Sequence, residues 1–415
     1  MPRRNQAQPL QRLLCAMHIR VAVPLRRSAR LSAYLILATV SPHPAGAEDA
    51  SQSSGTWKLV ASPSVPGVGQ GLYAVTATSA SDAWAVGDVY NQALGDQQTL
   101  IQHWDGTRWQ IVTSPSVRNA YNHLTGVSGA GSNDVWAVGY TIDDRSAAWR
   151  NLLLHWDGSQ WSIARSARLG TSFNVFTRVL ALAPDDVWAV GYNGTNIKFH
   201  TLAEHWDGQS WKVVPTPAPG TYDALYGISG SGPSDLWAVG YYKTGNQIYE
   251  SLTLHWDGVA WAKVESPNTT AYNWFNGVTA TGPNDAWAVG YEYENGGNAI
   301  AHPLIQRWDG SDWSVVANPP VPDGHYTNLA DAAWLLSSDV VAVGTSTDDN
   351  DNYDPLVEEW NGTAWTLATV PEIRGLPTTL VFAVAPDQTG GYWAVGWAQK
   401  PSPLTFKNYI IRRVP

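Results

Sequence analysis

A chain of 415 residues with 35 acidic and 25 basic side chains carries a formal net charge of −10. That balance argues against a nucleic-acid partner, which needs a basic footprint. The single Cys excludes a disulfide framework, so stability has to come from packing.

The first 47 residues hold seven Arg and no acid. An apolar run from Leu31 to Val40 follows, and Pro44-Ala-Gly-Ala47 puts small residues where a signal peptidase reads. Residues 1–47 are expected to be a secretory signal cleaved after Ala47, with Met17 as an alternative start. The run is too short for a membrane span. Arg26-Arg27 sits among residues that match a twin-arginine signal poorly. Cleavage removes Cys15 and leaves 18 basic against 35 acidic residues, a net charge of −17. The expectation is an extracellular protein, monomeric, without membrane insertion. Residues 48–56 read as a short linker.

Trp57-Lys-Leu-Val60 reads as a strand standing alone. From there a unit of about fifty residues repeats, the range of propeller blades. Its first landmark is the Trp of Trp-Ala-Val-Gly: Trp84, Trp136, Trp188, Trp237, Trp287, then Val341, then Trp393. The second is the Trp of His-Trp-Asp-Gly and its variants, from Trp104 to Trp360. The third is a Trp five residues later, from Trp109 to Trp365, with Trp57 as the lone early copy. Period-two alternation and β-branched residues predict four strands per unit, such as Leu124–Val127, Val135–Val138, Leu152–Trp156 and Trp161–Ile163. Asp157-Gly158 supplies the turn between the last two. The chain ends on Tyr409–Val414, a third strand with no fourth after it. The expected fold is an all-β, seven-bladed β-propeller of four-stranded antiparallel blades over residues 57–415, closed by strand 57–60 completing the last blade.

This pattern resembles bacterial secreted β-propellers with Asp-Val-Trp-Ala-Val-Gly and His-Trp-Asp-Gly-x-x-Trp repeats, distant relatives of kelch and galactose-oxidase-type propellers. The resemblance covers residues 57–414 and implies a fold rather than an activity. Ala-Val-Gly stands in place of the kelch double glycine. The Cys that the galactose-oxidase copper radical site needs is absent after residue 15.

Two turns keep a fixed length in every unit, nine and five residues between landmarks, while the other two connections vary from 17 to 21. Alternate turns lie on opposite ends of an up-and-down sheet. One face is therefore expected to gather the variable loops, where binding usually sits. Tyr121, Tyr222, Tyr272 and Tyr326 recur on that face, with Asn122, Asp223 and Asn273 beside the first three. Trp149, Trp274 and Trp397 fall outside the landmark series. Flat rings beside amides and carboxylates suit sugars. Packing of the loops is the competing reading.

Small residues, such as Gly126 and Gly277, precede the first-strand landmark so that inner strands can crowd at the axis. Arg178 and Asp331 break that rule and are candidates for a polar site at the channel mouth. Asp348, Asn350, Asn352 and Asp354 alternate as calcium ligands do, without the Gly and Glu of an EF-hand. The His of His-Trp-Asp-Gly, one per blade, cannot converge on a metal. Trp334 is expected to refill the volume lost at Val341. No nucleophile, zinc or phosphate-loop motif is present. The expected function is non-enzymatic binding of a glycan or extracellular protein, with no cofactor unless calcium. A glycoside hydrolase or lyase, or a passive adhesive scaffold, are the alternatives.

Overall fold

The computed structural model describes residues 55–65, 69–91, 95–167, 169–195, 197–245, 248–293, 300–320, 326–336, 338–347, 352–401 and 404–414. Residues 1–51 and 52–415 separate as two units, and every element below belongs to the second. The expected signal and nearly all of the linker lie outside the described residues. Among the described residues, no helix is long and apolar enough to cross a membrane.

Among the described residues, all elements are strands. After β1 (Thr56–Leu59), the strands β2 (Gly69–Ser79), β3 (Asp82–Asn91), β4 (Asp96–Trp104) and β5 (Trp109–Val112) make one antiparallel sheet. A second holds β6 (Ala120–Gly131), β7 (Asp134–Asp143), β8 (Trp149–Trp156) and β9 (Trp161–Ile163). A third holds β10 (Phe173–Ala183), β11 (Asp186–Thr195), β12 (Lys198–Trp206) and β13 (Trp211–Val213). Next come β14 (Asp223–Gly232), β15 (Asp235–Gly245), β16 (Ile248–Trp256) and β17 (Trp261–Val264). They are followed by β18 (Tyr272–Gly282), β19 (Asp285–Tyr293), β20 (Ala301–Trp308) and β21 (Trp313–Val316). Then β22 (Thr327–Leu336), β23 (Asp339–Thr347), β24 (Tyr353–Trp360) and β25 (Trp365–Leu367) form their own sheet. The last three strands are β26 (Thr378–Pro386), β27 (Tyr392–Pro401) and β28 (Leu404–Val414). β1 pairs antiparallel with β28, Trp57 opposite Arg413, so the early strand is the outer member of the sheet β1-β28-β27-β26.

The expectation of seven separate blades in a clean ring is corrected by the hydrogen bonding. Five blades stand alone as four-stranded sheets, and β14 to β21 share one eight-stranded sheet. The join is a single parallel bridge, Tyr249 in β16 to Tyr272 in β18, where the Tyr249 N–H donates to the Ala271 carbonyl at 2.9 Å. It exists because the strands run further toward the variable loops than the sequence suggested. β6 begins at Ala120 rather than Leu124, and β8 at Trp149 rather than Leu152. Backbone pairing continues through these residues, Tyr121 opposite Ile142 and Ile142 opposite Trp149.

The tryptophans hold neighbouring sheets together. Trp84 is 1% exposed and meets Trp156 at 5.0 Å and Trp161 edge-on at 5.3 Å in the next sheet. Trp393 meets Trp104 and Trp109 in the same way. Each such trio adds aromatic contact to a large burial term. Trp334 does not fill the space beside Val341. It packs on the cluster of Trp287 and Val340, whereas Val341 shares a cluster with Trp57, Tyr392 and Tyr409. Val340 and Val341 point to opposite sides of β23, and Trp334 pairs with Val340.

At the fixed-turn face, the Asp heading the second strand accepts from the third strand in five units: His103 to Asp82, His155 to Asp134, His205 to Asp186, His255 to Asp235 and Arg307 to Asp285. These imidazoles lie against the landmark tryptophans, Trp136 and His155 being stacked at 4.2 Å. They are structural, one per sheet. In the next turn Asp157 accepts the Ser159 and Gln160 N–H groups, and Gly158 takes φ 90°, a conformation that favours glycine.

Candidate functional site

The axis is lined by the first strand of each repeat unit. A cavity of about 140 Å³ is bounded by residues of β2, β6, β10, β14, β18, β22 and β26. Crowding explains the small residues. A Cβ on Gly277 would lie 2.7 Å from the Asp331 Cα, and one on Gly126 would lie 3.0 Å from the Arg178 Cα. Arg178 and Asp331 both line the cavity and reach across it to a separation of 3.9 Å. Arg178 also donates to the Thr125 carbonyl at 2.7 Å, and Asp331 accepts the Val384 N–H at 3.3 Å. Burial raises the Asp331 carboxyl above the ordinary carboxylate range, and Arg178 offsets part of that.

Just beyond this level each first strand carries a register shift, at Leu72/Ala74, Leu124/Gly126 and their counterparts. Such bulges re-aim a side chain. Thr125 and Thr177 use theirs to donate to the Phe176 and Leu225 carbonyls of the neighbouring first strand. Tyr73, Tyr226 and Phe382 place rings there instead.

Toward the variable loops, rings touch in an almost unbroken arc. It runs from Trp397 through Phe382, Tyr73, His123, Tyr140, Trp149, Phe173 and Tyr192 to Tyr226, Tyr241, Trp274 and Tyr291. Burial raises the phenols of Tyr140, Tyr192 and Tyr241, and that of Tyr226 to about 12. They are neutral donors and acceptors at any physiological pH.

The structure separates the sequence candidates. Trp149 is 9% exposed and held between Tyr140 and Phe173, each at 4.7 Å. Asn122 is spent on its own loop, donating to the Gln97, Val117 and Ala120 carbonyls and accepting the Val117 N–H. Asn273 likewise holds Thr269 and Thr270. Tyr121 leans half-buried on the aromatic cluster, and Trp397 contacts Phe406 at 5.9 Å. Tyr326 takes the Asn328 amide on its hydroxyl. Asn352 precedes β24 and Asp354 lies within it, while Asp348 and Asn350 lie outside the described residues. Among the described residues no His, Cys, Asp or Glu group of three or more is arranged to hold a metal.

Trp274 and Tyr272 meet Tyr249 at the join of the eight-stranded sheet, and Tyr222 adjoins them through Lys243, which lies against both Tyr222 and Tyr249. Tyr249 stacks on Tyr272 at 5.4 Å and 22° and meets Trp274 at 5.2 Å. Phe199 meets Tyr222 edge-on at 5.2 Å. All of these rings are half-buried, so part of each faces outward. This is an aromatic shelf. Tyr249 was not singled out in the sequence because it lies at the start of a third strand and belongs to no landmark.

Two His–Asp pairs were also missed. His123 Nδ1 bonds Asp88, buried between Tyr73 and Tyr140. His200 Nδ1 donates to Asp223 at 2.7 Å beside the shelf. The signal for the first was present: Asp88 stands where four of the other units have Tyr140, Tyr192, Tyr241 and Tyr291.

No family model matches the chain, and no curated protein matches it. Solved structures do. The polysaccharide lyase Uly1 aligns with a TM-score of 0.53 at 9% identity, over 88% of this chain and 93% of that one. YCF48 bound to D1 peptide aligns at 0.51 and 16% identity, over 86% and 97%. A GH74 xyloglucanase from Xanthomonas campestris aligns at 0.52 and 12% identity, over 82% of this chain and 53% of that one, so this chain spans about half of that enzyme. At such identities the likeness shows the β-propeller fold alone. Structures of this fold include binding proteins and enzymes.

Proposed function

We propose that this protein is an exported binding propeller that recognises a glycan on its variable face. The observation that carries this is the outward-facing shelf of Trp274, Tyr249, Tyr272 and Tyr222, whose rings offer flat apolar surface edged by hydroxyls. Sugars present the complementary pattern, C–H faces and hydroxyl rims. The deeply packed rings, such as Trp149, support the shelf rather than extend it. Export rests on the basic, then apolar leader and its small-residue cleavage site.

A glycan-array screen of the purified protein tests the reading, followed by titration of the best ligand. Trp274→Ala is expected to weaken binding by up to about tenfold, the order of a lost aromatic contact. His155→Ala, on the opposite face, leaves it intact. Binding unchanged in Trp274→Ala would move the site elsewhere, and an array without hits would turn attention to protein ligands.

The buried His123–Asp88 pair favours a second reading, a glycan-cleaving enzyme with His123 as proton carrier. Release of shorter products from a polysaccharide, abolished in His123→Ala, would establish it.

A further inference from the structure

We infer that the shelf is built for an acidic saccharide, one whose pyranose ring carries a carboxylate, with Lys243 as the residue that reads the charge. This rests on the glycan reading above and narrows it. The Lys243 ammonium lies 5.4 Å from the ring centres of both Tyr222 and Tyr249, so it is held at the shelf by two aromatic faces. It forms no ion pair among the described residues. The carboxylates around it are committed elsewhere. Asp223 is fully buried and accepts His200 Nδ1 at 2.7 Å and the Gly220 N–H at 2.6 Å. Glu250 accepts the Tyr242 and Thr244 hydroxyls.

The charge is also a departure from the repeat. Three residues after the Trp-Ala-Val-Gly glycine, the other units place Tyr90, Ile142, Gly194, Tyr293, Thr347 and Gln399. Only the unit that also supplies Tyr249 puts a cation there. His200, with its side chain 38% exposed, adds a polar group on the Phe199 and Tyr222 side. A saccharide seated against the exposed edge of this shelf can turn its exocyclic carboxylate toward the Lys243 Nζ, which lies beside Tyr222 and Tyr249. A neutral hexose offers that nitrogen only a hydroxyl. Charge-assisted contacts are the stronger kind, and salt weakens one this exposed.

The test uses oligogalacturonides and cello-oligosaccharides of equal length, titrated by calorimetry into the full-length exported protein and its Lys243→Met, Lys243→Arg and Trp274→Ala variants. Melting curves confirm that each variant is folded. The expected result is tighter binding of the uronates, and a loss of about tenfold for them alone in Lys243→Met. Lys243→Arg recovers most of the loss, and high salt erases the preference. If Lys243→Met binds uronates as wild type does while Trp274→Ala binds them poorly, the acidic-ligand inference falls and the glycan shelf stands. If Trp274→Ala changes nothing, or neither sugar binds, the shelf reading falls and this inference with it.

Discussion

Glu358 provides a test of how the sheets are packed. It is 0% exposed, and among the described residues neither carboxyl oxygen has a hydrogen-bond partner. Other units show what the position is for. Gln102 Nε2 donates to the Pro63 carbonyl at 3.0 Å, and Gln306 Nε2 to the Pro267 carbonyl at 2.7 Å. In both, the partner is six residues past an outer-strand tryptophan. Glu204 faces Ala167 there, which has an N–H, and accepts it at 3.0 Å. The residue at that place for Glu358 is Pro319, which has none. Among the described residues the acid therefore has no donor to stabilise its charge, and burial pushes its pKa from 4.5 up to about 8. An unfolded chain loses this proton near pH 4.5, whereas the folded chain holds it to about 8. The stability this group contributes is thus fully present below pH 4.5 and is lost as pH rises toward 8. At about 1.4 kcal/mol per pH unit, the loss sums to about 5 kcal/mol. Glu358→Gln removes the titration and supplies the amide used at Gln306. Thermal melts of both proteins from pH 4.5 to 9 provide the assay. The variant should match wild type near pH 4.5 and melt progressively higher above it, by about 6 °C at pH 8. Parallel pH profiles would refute the reasoning, because they would mean that Glu358 is ionised and paired in the folded state.

Other perturbations probe the axis and the early strand. Gly277→Ala forces a Cβ to within 2.7 Å of backbone and should cost about 1–3 kcal/mol, while Gly131→Ala, with nothing within 4 Å, should be close to neutral in urea unfolding. Arg178→Met strips Asp331 of its cation. It should cost about 3 kcal/mol at pH 7 and less as acid protonates the carboxyl, and a loss independent of pH would show that the pair does not couple. Trp57→Ala empties a site 4% exposed and removes the indole bond to Glu359 at 2.8 Å. A fall of about 3–5 kcal/mol is expected, and one below about 1 would mean that β1 is dispensable.

The strands and their landmarks were legible in the sequence because the forces behind them are local. Trp-Ala-Val-Gly alternates at the period of a strand, and Asp157-Gly158 encodes a turn within four residues. Pairing of residues 57–60 with the last strand could be inferred by counting, since a lone outer strand at one end met a sheet short of one at the other. Departures from the repeat were equally visible: Arg178 and Asp331 stood out because Gly or Ala stood elsewhere. What those departures meet was not legible. That Arg178 reaches Asp331 across the axis, that Asp88 finds His123, and that Tyr249 joins Tyr272 and fuses two blades depend on which strands become neighbours in space. Asn122 and Asn273 look like ligand groups in a sequence, and only the folded loop shows their bonds already taken by backbone. Local chemistry sets the blade, and the contacts between blades decide which side chains are left to bind anything else.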